Sequence, residues 1–183
     1  MATAKTGSFY LTETVILPAA SADGTRVAGT VDLAAYINVA SGQAIAIDQV
    51  DFVVQNGSNY DGNINAMLVT NGAVSMQLTD LNPGTLFVRA DNQSLIASGS
   101  LNIDVVNNVG THASDLYPDN HGTAALSEAF MVVNDQLYLT TGNDGSAVGG
   151  ASLNVTARIR ARVVKLGTKD WMAIAIQSTA SDN

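Results

Sequence analysis

Ten short runs of β-branched or alternating residues, each fenced by Gly, Asn, Asp, Pro or Ser, constrain this chain more than any other feature. They are Phe9–Leu17, Val27–Leu33, Gln43–Gln55, Ile64–Thr70, Ala73–Thr79, Thr85–Arg89, Leu101–Val106, Phe130–Val133, Gln136–Thr140 and Ala151–Leu166. At this spacing they predict an antiparallel sandwich or barrel. Helix signals are few. Asp32–Ile37 can close a single turn, and Thr123–Ala129 reads as two turns capped by Thr123. In the tail, Thr168-Lys169-Asp170 resembles a helix start, but Met172–Gln177 alternates and we read it as a strand.

Local patterns sharpen the expectation. Asn71-Gly72 lies between Ile64–Thr70 and Ala73–Thr79, which predicts a two-residue hairpin with Val69 opposite Val74 and Met67 opposite Met76. Asn134-Asp135 predicts a second hairpin with Val132 facing Leu137. In Gln43–Gln55 the apolar parity shifts between Ile45/Ile47 and Val50/Phe52/Val54, so an extra residue near Asp48-Gln49, a β-bulge, would restore one buried face. Val109–Gly122 follows neither period and reads as the longest loop.

Composition agrees with β. Charged residues are 13% of the 183, and of sixteen acids only Glu13 and Glu128 are Glu. Asp suits turns and strand ends, whereas exposed helix faces carry abundant Glu, Lys and Arg. The 46% hydrophobic content excludes a disordered chain, and the absence of Cys excludes a disulfide framework and thiolate metal sites. The length predicts a single domain over 1–183, with a short flexible N-terminal arm over about 1–8. A net charge of −8 argues against sequence-specific nucleic-acid binding. Met1–Gly7 lacks the apolar core of a secretory signal, so we expect synthesis in the cytoplasm.

No nucleophile elbow, phosphate loop, zinc-helix motif or dinucleotide fingerprint occurs, and we expect neither an enzyme nor a cofactor. His112 and His121 lie in the long loop beside Asp115 and Asp119, which makes this the one conceivable His/carboxylate cluster. We read them as exposed loop residues without a catalytic role, because a metal needs three or four converging ligands. Oxygen-rich Asn56–Asn63 and Thr141–Gly145 lack the spacing of a calcium loop and read as turns.

The unusual feature is a stripe. In Leu153–Val163, period two sends Leu153, Val155, Ala157, Ile159, Ala161 and Val163 to one face and Arg158, Arg160 and Arg162 to the other. Five of the eight cations fall between Arg158 and Lys169. The stripe is a solvated face with edge protection, a contact with acidic surfaces of other subunits, or a seat for a phosphate-bearing partner.

Gly29–Val39 followed by Gln43–Phe52, and the ending Arg162–Met172, resemble the early and last strands of single jelly-roll coat proteins of tailless icosahedral viruses of bacteria and archaea. The resemblance implies an all-β fold of two antiparallel four-stranded sheets, of jelly-roll type, with about eight to ten strands and little helix. It also implies a capsid subunit in the virion, partnered by copies of itself and by any second coat protein or inner membrane. In such a shell, the gathering of an acidic chain's few cations on one strand face points to Arg158, Arg160 and Arg162 as subunit contacts. The alternative is a non-catalytic sandwich of a surface fibre or appendage that binds carbohydrate or calcium; its aromatic platforms would be Tyr60 and Tyr117.

Overall fold

The computed structural model describes residues 2–58, 63–112 and 129–180. Its strands are β1 (Thr3–Ala4), β2 (Phe9–Leu17), β3 (Arg26–Asp32), β4 (Gln43–Asn56), β5 (Gly72–Thr79), β6 (Leu95–Asp104), β7 (Val109–His112), β8 (Phe130–Val132), β9 (Gln136–Asp144) and β10 (Leu153–Lys165). Its helices are α1 (Ile64–Met67) and α2 (Thr168–Ala180). Sheet A runs β2-β10-β4-β8, with β1 extending the line of β2 along β10, and sheet B runs β3-β9-β5-β6-β7. Every pairing is antiparallel. Without the short β1 and β7, the eight remaining strands give sheet orders first-eighth-third-sixth and second-seventh-fourth-fifth. That order is the jelly roll, and the fold is the expected all-β sandwich.

The apolar parity of each strand builds the core. Leu153, Val155, Ala157, Ile159 and Ala161 of β10 are fully buried against Val74, Leu78, Leu137 and Leu139 of sheet B and their neighbours. The bulge forms where expected. Arg160 pairs with Gln49 and Ala161 with Ile47, leaving Asp48 as the extra residue, so Ile45, Ile47 and Val50 all reach the core. Asp32–Ile37 closes a turn, with the Tyr36 N–H on Leu33 O at 2.8 Å and the Ala34 N–H on Asp32 Oδ1 at 2.9 Å. In the N-terminal arm, Thr3 and Ala4 pair with Lys165 and Val164, and the Val163 N–H donates to Thr6 Oγ1 at 3.0 Å.

Several local expectations are corrected. Ile64–Thr70 is not a strand: Ile64–Met67 is α1, Leu68 makes an isolated bridge to Val148, and Val69 is exposed. The Asn71-Gly72 hairpin is therefore absent, and β5 pairs instead with β6 and β9. Gly72 lacks the positive φ of a type I′ turn. It is there for close approach, since a Cβ would stand 2.6 Å from Asp144 O. Asn134-Asp135 is likewise no hairpin. β8 joins sheet A and β9 sheet B, so Val132 and Leu137 meet across the core rather than along a ladder.

Thr85–Arg89 is irregular, although Gln77 imitates a strand partner by donating to Val88 O at 2.9 Å and accepting the Val88 N–H at 2.8 Å. The strand expected at Leu101–Val106 begins earlier, at Leu95, where Ser and Gly obscure the alternation. Val109–His112 of the expected loop is β7, and 113–122 lies outside the described residues, as does the helix expected at Thr123–Ala129 apart from Ala129. The tail is helix, not strand. Trp171, Ile174 and Ala175 of α2 share one face and pack on Ala44, Ala46, Val164 and Leu166, on the outside of sheet A. Two alanines in β4 leave room for a helix there, and burial on that seat decides an ambiguous sequence.

Candidate functional site

Strand alternation places Arg158, Arg160 and Arg162 on the outer face of sheet A, where β10 is flanked by β2 and β4. Their surroundings differ because the face is only partly open. Arg158 is exposed; its guanidinium lies 5.2 Å from the centroid of the Tyr10 ring, a cation–π contact across the β2 pairing. Its cross-strand neighbours are Thr12 and Asp51, and the Asp51 carboxylate accepts from Gln49 Nε2 at 2.7 Å. Arg160 is half-buried between Tyr10 and Gln49. Arg162 is also half-buried, with its Nη2 2.5 Å from Asp48 Oδ1 and side-chain exposures of 18% and 4%.

The bulge creates that last pair. An ordinary strand would carry no extra residue between Ile47 and Gln49, and Asp48 exists on the outer face because the ladder slips one residue there. The sequence pattern exposed the bulge and the stripe separately; that one supplies the counter-ion of the other is visible only in the register.

Beyond Arg158, the open part of the face carries Tyr10, Thr12, Thr14 and Ile16 of β2, with Tyr10 53% and Ile16 54% exposed. Thr14 and Thr156 share a hydroxyl hydrogen bond at 2.9 Å. The covered part lies beneath α2, whose other side exposes Met172 and Ile176. Exposed cations Lys5, Lys165 and Lys169 surround the covered end.

Sheet B is different. Arg26, absent from the sequence reading, holds the 81–94 loop by stacking 4.6 Å over Phe87 while pairing with Asp144 at 2.5 Å. Beneath that loop is a cleft of about 280 Å³, walled by Phe87 and Ala90 and floored by Ser75, Gln77, Ser98 and Ser100. At the sandwich edge, Glu13 points inward toward Gly29, and burial raises its pKa. Asp104 has the opposite shift, because the side chain and N–H of Asn107 hydrogen-bond its carboxylate.

Asp115, Asp119 and His121, together with the side chain of His112, lie outside the described residues, as do Tyr60 and Tyr117. Among the described residues, no group of three His, Cys, Asp or Glu could hold a metal. Of the oxygen-rich segments, Asn143 is buried and donates to Ala22 O at 3.0 Å and to Ser146 O at 2.6 Å, so its amide is a structural brace.

No protein-family profile matches the chain, and no curated protein sequence does. Among solved structures, it is similar to VP1 of Trichodysplasia spinulosa-associated polyomavirus, at 11% identity and a TM-score of 0.40, covering 89% of this chain and 99% of that one. Merkel cell polyomavirus VP1, solved with an oligosaccharide, gives 10% and 0.39, covering 89% and 98%. Turnip yellow mosaic virus gives 6% and 0.30, covering 87% and 95%. At these scores the likenesses carry no argument about function.

Proposed function

We propose that this chain is a non-enzymatic structural protein, a capsid subunit that assembles with copies of itself into an icosahedral virion shell. Residues 1–183 form its one shell domain, with about 1–8 as an arm, and Arg158, Arg160 and Arg162 contribute to orientation at subunit contacts. The observation that carries this reading is the surface. Charged residues are 13% of the chain, about half the usual share, while Tyr10, Ile16, Met172 and Ile176 stand exposed along the sheet A side. A surface poor in charge and apolar on an open sheet face suits packing against neighbours better than solitary life in water. The jelly-roll order supports it as architecture alone, since fold does not dictate function.

Light scattering and negative-stain imaging of the purified protein test the proposal: closed particles are expected, and a monomer at every ionic strength and concentration overturns it. Replacing Arg158 and Arg160 by Ser should leave the fold intact and impair assembly; Arg162 is kept, because its loss would strand the buried Asp48. The second reading, a carbohydrate-binding module, is favoured by the hydroxyl-floored cleft beside Phe87. Glycan-array binding by a protein that stays monomeric would select it.

A further inference from the structure

The charges left without opposite partners are distributed unequally between the two sides of the sandwich. Among the described residues, Lys5, Arg158, Lys165 and Lys169 have no carboxylate within ion-pair distance, and all four belong to β10, to the arm along it or to the helix above it. Asp23, Asp32, Asp104 and Asp135 have no cation and sit on sheet B strands or the loops that lead into them, against two such carboxylates on sheet A, Glu13 of β2 and Asp51 of β4, the latter held by Gln49. The two cations of the sheet B side, Arg26 and Arg89, already face Asp144 and Asp91. Such a subunit is electrostatically complementary to a second copy in head-to-tail order, and self-repelling when like sides meet.

One feature on the acidic side is built to project. The turn after β6 carries Val106 at 84% exposure, the highest of any large hydrophobic described. It is a rigid knob: Asp104 Oδ1 accepts the N–H groups of Val106 and Asn107 at 3.1 Å each, and Asn71 Oδ1 accepts the Val105 N–H at 2.8 Å. An apolar tip on a pre-ordered turn costs little entropy to dock. The Arg158 face offers the matching chemistry, an unpaired guanidinium over Tyr10 with exposed Thr12 and Ile16 beside it.

We propose that the outer face of sheet A around Arg158 receives the Asp104–Asn108 turn of a second copy, in a heterologous contact that repeats around a ring. The contact rests on the shell reading above and names the two surfaces that meet. Arg162, engaged by Asp48, holds the bulge and does not face the partner's carboxylate.

The test uses charge exchange and cross-linking. R158E should raise the concentration needed for assembly about tenfold, and V106K should do the same by setting a cation against Arg158. The double variant R158E/V106K should restore assembly, because it re-creates an opposite pair. The chain has no Cys, so T12C and V106C variants mixed under oxidation report the contact directly as a heterodimeric disulfide. T12C mixed with V39C, whose cysteine lies in the β3–β4 connection, should give none. If the wild type assembles but the double variant is not rescued and no T12C–V106C link forms, the contact is overturned and the shell reading stands. Cross-linking by a protein that forms no particle supports the contact and removes the shell. Neither particles nor links removes both.

Discussion

Replacing Arg162 by Met should destabilise the protein by about 3 kcal/mol, far more than the same change at Arg158, although both belong to one stripe on one strand. The difference follows from the counter-ion. Asp48 is 3% exposed at the bulge, and Arg162 Nη2 stands 2.5 Å from its carboxylate, so R162M strands a negative charge where water hardly reaches. Breaking a buried pair by removing one member typically costs about 3–5 kcal/mol, and the 18% exposure of Arg162 argues for the lower end. The reverse deletion, D48A, should cost roughly 1 kcal/mol, since a long guanidinium side chain can turn its head to solvent. R162M/D48A should lie within about 1 kcal/mol of wild type, because removing both charges removes the desolvation penalty. Arg158 is exposed, with a cation–π contact and no ion pair, so R158M should cost less than about 1 kcal/mol. Urea unfolding of the dissociated subunit gives the four free energies of the cycle. In a thermal scan the R162M effect corresponds to a fall of roughly 6–12 °C for a domain of this size. An R162M cost below about 1 kcal/mol, or simple additivity with D48A, would refute the claim that this pair is buried and coupled.

Glu13 predicts a pH dependence with a definite sign. Burial raises its folded pKa above 4.5, so the native state binds the proton more tightly than the unfolded state does. Its favourable contribution is full below the unfolded value and is lost as pH rises through the folded one. E13Q should therefore raise stability at pH 7 and leave it unchanged near pH 3, as urea midpoints at the two pH values would show. G29A should cost about 1–3 kcal/mol, because the new Cβ would stand 2.5 Å from Glu13 Oε1 and 2.8 Å from Val15 Cγ2; an unchanged melting temperature would contradict that packing. W171A should loosen α2 from its seat on Ala44, Ala46 and Val164, costing about 2 kcal/mol. The accompanying rise in binding of an apolar dye should be absent in M172A, whose side chain points to solvent.

The strands were legible wherever one face is buried and the other wet. Leu153–Lys165 reads directly, and so does the bulge at Asp48, because a parity shift within a single strand is a local property. Which strand lies beside which was not legible. Asn71-Gly72 and Asn134-Asp135 carry hairpin chemistry, yet the first follows a helix and an isolated bridge, and at the second the chain crosses between sheets. A turn dipeptide permits a reversal without compelling the flanking runs to pair, and burial of two sheet faces against each other outweighs the local preference. The same competition settled Thr168–Ala180. Its alternation and its helical spacing are both present in the sequence, and the apolar seat on sheet A selects the helix.

By itself, the sequence determined that the chain is β, that β10 buries one face and arms the other with arginine, and that an extra residue stands near Asp48-Gln49. Only the tertiary structure decided that the three arginines are chemically unlike, with Arg158 open beside Tyr10, Arg160 half-buried and Arg162 bound to Asp48. The reason is physical. Side-chain direction follows from the period of the strand, which is written in consecutive residues. The solvent exposure and counter-charge of each side chain come from β2, β4 and α2, which reach β10 from distant parts of the chain.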